Sequence, residues 1–144
     1  MDEGFITVKG AQLDKLYKKY NADFKDEPNF HEKICFGINF FINNEILHED
    51  VFLRMHVFQS IIMAAIATNY QEEYEHKANE AHPDIALALD QHAYTIDTLV
   101  SALQDPDDFP ALGSFIKANS EATNTAAARA IRFLYFKKAL SQLV

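Results

Sequence analysis

Glu73, His76 and Glu80 stand at i, i+3 and i+7 inside the stretch "YQEEYEHKANEAHPD" (residues 70–84), a spacing that puts oxygen and nitrogen donors on one side of a helix. Glu73 and His76 form the Glu-x-x-His pair that carboxylate-bridged dimetal bundles use. If the chain turns back near His82, residue 73 comes level with about residue 91, which brings His92 close. Glu73, His76 and His92 are therefore the candidate metal ligands, and the donor set suits a transition metal such as zinc, manganese or iron.

The segment "HAYTID" sets Asp97 five residues after His92 and in this resembles the closing His-x-x-x-x-Asp pair of hemerythrins. The His-x-x-x-His pair of that family has no counterpart among the histidines of this chain, so no activity is carried over. Nucleophilic chemistry has little to build on. Cys35 lies between Ile34 and Ile38 and reads as a small buried hydrophobe, with His31 one turn before it. Ser60 and His56 are also one turn apart, but a serine in a helix interior lacks the sharp turn that exposes a hydrolase nucleophile. The four glycines are too scattered to make a phosphate loop.

Charge is distributed unevenly. Lys and Arg against Asp and Glu leave −3 in residues 1–69, −9 in residues 70–116 and +4 in residues 117–144. The middle segment has Lys77 as its only cation, which disfavours nucleic acid as a partner there and favours a basic protein. The expected partner surface consists of Glu72, Glu75, Asp84, Asp90, Asp97, Asp105, Asp107 and Asp108, with Tyr94 as an aromatic anchor between Asp90 and Asp97. Small acidic helical proteins of this kind include inhibitors and immunity proteins that cover the basic cleft of a toxin or nuclease. The expected function is thus a non-enzymatic binding module, and the alternative is a metal- or small-ligand-binding bundle. Self-association through Phe30, Phe36 and Phe40 is a third expectation.

The elements that position these residues all read as helices. With 144 residues, nearly half of them apolar, the chain is of the size for one domain with one core. No stretch alternates polar and apolar residues long enough for a strand, so the expected fold is an all-α compact bundle of five or six helices. The first should span about Ala11 to Asn21. The second, about Pro28 to Asn43, carries His31, Ile34, Cys35, Ile38, Phe41 and Ile42 as its stripe. A third should start near Glu49 or Asp50 and meet no breaker before about Glu80, a long central helix of roughly 45 Å. Pro83 then forces a break at His82, and a fourth helix runs from Asp84 to about Leu103. A short helix from about Pro110 to Ala118 precedes a last one capped by Asn119 or Ser120. That last helix should bury Phe133, Phe136 and Leu140 and turn Arg129, Arg132, Lys137 and Lys138 outward.

A single cysteine fits a reducing compartment, and the acidic start "MDEGFITVKG" has no apolar run of the export type; a soluble, cytoplasmic protein is expected.

Overall fold

A computed structural model describes residues 27–143; the helix expected over residues 11–21 lies outside them. Seven α-helices occur among the described residues, with no strand. They are α1 (Glu27–Asn43), α2 (Met55–Asn69), α3 (Glu73–Ala81), α4 (Pro83–Gln91), α5 (Ile96–Gln104), α6 (Gly113–Ser120) and α7 (Ala126–Leu140). Short 3-10 turns fill the connections between α1 and α2 and between α5 and α6.

The centre is α2, where every residue from Ser60 to Ala67 is buried. A stretch with no solvent-facing side must be covered all round, and α1 and α7 supply most of that cover. α1 approaches through Gly37, where an added Cβ would stand 2.9 Å from Ile62 Cγ2 and 3.0 Å from Ile66 Cγ1. This contact turns the expected stripe of α1. Phe41 is buried and Ile34 packs on the core, while Ile38 and Ile42 are 40 % and 58 % exposed. The face that can come nearest wins over the face with the most isoleucine, because close packing gains dispersion contacts all along the seam.

The long central helix is corrected. α2 has fifteen residues and stops at Asn69; Tyr70 and Glu72 are extended, and α3 starts afresh at Glu73. No proline or glycine marks the break. Its cause is tertiary: Tyr74 is buried, its ring stands edge-on to Phe133 at 5.3 Å, and its hydroxyl donates to the Met63 carbonyl at 3.0 Å. In one continuous helix, residues 63 and 74 would be about 16 Å apart along the axis. The expected single fourth helix is likewise two, α4 and α5, separated by extended backbone at His92 and Thr95. Thr95 Oγ1 caps α5 by accepting from the Thr98 N–H at 3.2 Å. The break at His82 is as expected, with Pro83 in the first turn of α4.

α7 begins later than its sequence suggests. Thr125 Oγ1 accepts from the Ala128 N–H at 3.2 Å and is the N-cap, whereas Ser120 closes α6 by donating to the Ile116 carbonyl at 3.0 Å. α3 and α4 meet at the single residue His82, and both pack on α7.

Candidate functional site

The three candidate metal ligands are not brought together. Glu73 and His76 point to solvent on α3, where Glu73 pairs with Lys77 at 3.2 Å and His76 with Glu80 at 3.1 Å. His92 caps the C-terminus of α4, exposed, with its ring edge-on to Tyr94 at 4.7 Å. Ending α2 at Asn69 turned the Glu73–His76 side away from the core, and ending α4 at Gln91 took His92 off the helix. Among the described residues no group of three or more His, Cys, Asp or Glu side chains is placed to hold a metal ion. Cys35 Sγ lies 3.5 Å from His31 Nε2, the i, i+4 contact that the sequence allows, on a side chain only partly buried.

The acidic residues separate into two sets. Three tie elements together: Glu72 is an ion-pair partner of Lys33, Glu75 of Lys137 at 3.3 Å, and Asp90 of Lys138 at 2.8 Å. Asp84, Asp97, Asp105, Asp107 and Asp108 are exposed and make no ion pair among the described residues. Tyr94 is not the free anchor expected between Asp90 and Asp97. The break at His92 to Thr95 dissolves the shared helix side, and Tyr94 is half-buried beside Tyr135, with ring centroids 6.2 Å apart. An apolar anchor of another kind lies nearby. Leu87 is 60 % exposed on the wall of a groove of about 470 Å³ between α3, α4 and α7. Leu89 and Leu134 also line it, and both ion pairs to Lys137 and Lys138 stand along it. Phe36 and Phe40, expected to be available for self-association, are half-buried, and Phe36 packs edge-on to Tyr70 at 5.6 Å.

No family model, curated protein or solved structure matches this chain. What it can do must be read from its own groups.

The least expected of these is a polar cluster in the interior, where α2, α6 and α7 meet. Arg129 and Arg132, placed outward by their sequence, are 7 % and 0 % exposed. Arg132 Nε–H donates to Ser60 Oγ at 3.0 Å and its Nη1 to the Ala118 carbonyl at 2.6 Å, near the end of α6. A guanidinium there also meets the negative end of that helix's dipole. Ser60 Oγ–H in turn donates to the His56 carbonyl at 2.9 Å. His56 Nε2 lies 3.2 Å from the Asn119 carbonyl; a carbonyl only accepts, so Nε2 carries the proton.

Burial and the like charge of Arg129 pull the Arg132 pKa down to about 10, which still leaves it charged at neutral pH. Burial lowers Arg129 too. His56 is lowered by burial first and by the charge of Arg132 second, so it is neutral. The Nη2 of Arg132 and the Nε and Nη2 of Arg129 are buried without a hydrogen-bond partner among the described residues, as is Asn119 Oδ1. One signal for Arg132 was legible: it stands at i−4 and i−8 from Phe136 and Leu140, on the stripe that the sequence assigns to the core.

Proposed function

We propose that the chain is a non-enzymatic protein-binding module that presents the carboxylates of α4, α5 and the turns after α5 to a basic partner, in the manner of an immunity protein. The observation that carries this reading is the set of exposed acids Asp84, Asp97, Asp105, Asp107 and Asp108, which make no ion pair among the described residues, in a segment whose only cation, Lys77, is already engaged by Glu73. Such a field attracts a basic surface and raises its association rate, most strongly at low salt. Leu87 offers an apolar contact in the same segment, which charge alone would not provide. A cytoplasmic home belongs to the same reading.

The test is capture of partners from a native extract by the wild-type protein and by an Asp107→Lys, Asp108→Lys double variant. A partner captured by the wild type at low salt should be lost at about 0.5 M salt, where screening is nearly complete. Its association with the double variant, measured by surface plasmon resonance, should be slower by about tenfold or more. Equal association rates and no salt dependence would remove this surface as the binding face.

A further inference from the structure

We infer that Arg129 and Arg132 form a binding site for a small oxyanion, a phosphate or a carboxylate group, at the junction of α2, α6 and α7. Two guanidinium groups occupy the buried side of α7 at i and i+3, and no carboxylate pairs with either among the described residues. Buried cations without a counter-charge are among the costliest features a fold can carry, and native structures nearly always pair them. Here the remaining donors are specific. Arg129 presents Nε and Nη2 and Arg132 presents Nη2, all buried and without a hydrogen-bond partner among the described residues, while the other nitrogens of Arg132 are fixed by Ser60 and Ala118.

That division of labour makes Arg132 the rigid half of the site. With Nε and Nη1 held, its plane is set before any ligand arrives. The Nε and Nη2 edge of a guanidinium is the edge that meets two oxygens of one carboxylate or phosphate at once, and Arg129 has both of these atoms free. Arg129 keeps 7 % of its surface in solvent and Arg132 none, so Arg129 is the member of the pair nearer to solvent. The surroundings reinforce the preference for negative charge: His56 is neutral, and the charges that act on it are those of Arg132 and Arg54. This site shares no residue with the acidic surface proposed above, so each stands or falls separately.

The experiment uses the full chain and two probes, sodium phosphate and sodium acetate, each titrated at constant ionic strength against sodium chloride. The NMR resonance of the Arg129 Nε–H should move saturably with at least one probe. The same probe should raise Tm by about 4 °C at roughly tenfold excess over its dissociation constant. A response to phosphate alone identifies a phosphate-bearing ligand, and a response to acetate alone a carboxylate. Arg129→Met should lose the saturable Tm shift and retain the fold. An Arg129 Nε–H that neither probe moves, with no saturable change in Tm, overturns the proposal. So does a Tm response that Arg129→Met leaves intact.

Discussion

Two arginines one turn apart on the same buried side of α7 should respond in opposite ways to the same substitution. Replacing Arg132 by Met removes two hydrogen bonds from a charged donor, to Ser60 Oγ and to the Ala118 carbonyl, worth about 1.5–3 kcal/mol each. The Ala118 carbonyl is then left without that donor inside the protein, which adds about 1–3 kcal/mol. Against this stands relief from burying a charge. The fall of the Arg132 pKa to about 10 from the ordinary guanidinium value, caused by burial first and the Arg129 charge second, sets that relief at about 3.5 kcal/mol, using ~1.4 kcal/mol per pH unit. The losses win, and Arg132→Met should destabilise the fold by about 3 kcal/mol.

Arg129→Met removes no hydrogen bond among the described residues and relieves a burial cost of the same kind. It also lifts the like charge from Arg132. The expected change is between zero and about 2 kcal/mol of stabilisation, since an unpaired buried charge replaced by an apolar chain of similar length is a net gain. Urea unfolding followed by circular dichroism at pH 7, in a buffer free of phosphate and carboxylate, measures both. At roughly 3 °C per kcal/mol for a chain of this size, thermal melts should separate the two variants by about 9 °C or more. Equal destabilisation by both substitutions would refute the assignment of Arg129 as unpartnered. An Arg132→Met variant as stable as the wild type would refute the role given to the Ser60 and Ala118 bonds.

Gly37→Ala should destabilise by about 1 kcal/mol in spite of alanine's better helix propensity, because its methyl group would press on Ile62 and Ile66; Gly113→Ala, which meets nothing within 4 Å, should instead stabilise by about 0.5 kcal/mol, and denaturation midpoints read both signs. The folded-state pKa of His56 lies below the unfolded value of 6.5, so the unfolded chain takes up a proton first: its contribution to stability is present above about pH 6.5 and is lost as the pH falls toward the folded pKa. His56→Gln should flatten the decline in urea midpoint over that window, and an unchanged pH profile would contradict the assignment. Thr125→Ala should cost about 1 kcal/mol as the loss of an N-cap, and Ser120→Ala no more than about 0.5 kcal/mol, which places the start of α7 by calorimetry.

The class of fold was legible from the absence of strand alternation, and the punctuation at Pro28, Asn43 and Pro83 fell where those residues predict it. What local pattern missed was long-range. Nothing between Glu49 and Ala81 forbids a continuous helix; the chain breaks at Tyr70 to Glu72 because Tyr74 gains a bond to Met63 and burial against Phe133, and Phe133 is 59 residues away in the sequence. The candidate metal ligands depended on that helix too: with α3 starting afresh at Glu73, Glu73 and His76 point to solvent, and His92 lies beyond the end of α4. The same holds for α1, where Gly37, silent as a hydrophobic residue, decides which side packs.

The cations of the C-terminal segment link these observations. Counted along the sequence, the positive charge of residues 117–144 offsets nearly half of the negative charge of residues 70–116. The structure divides it. Lys137 and Lys138 do reach the acidic segment, through Glu75 and Asp90, and in doing so fasten α3 and α4 to α7. Arg129 and Arg132 go inside, where Arg132 bonds Ser60 and Ala118 and neither pairs with a carboxylate among the described residues. Turned inward, neither arginine makes an ion pair with the exposed carboxylates of α5 and its following turns, which have no local counter-charge among the described residues. The same inward turn of two arginines thus separates the two proposals: one rests on exposed acids without an ion pair among the described residues, the other on buried guanidinium nitrogens without a hydrogen-bond partner there.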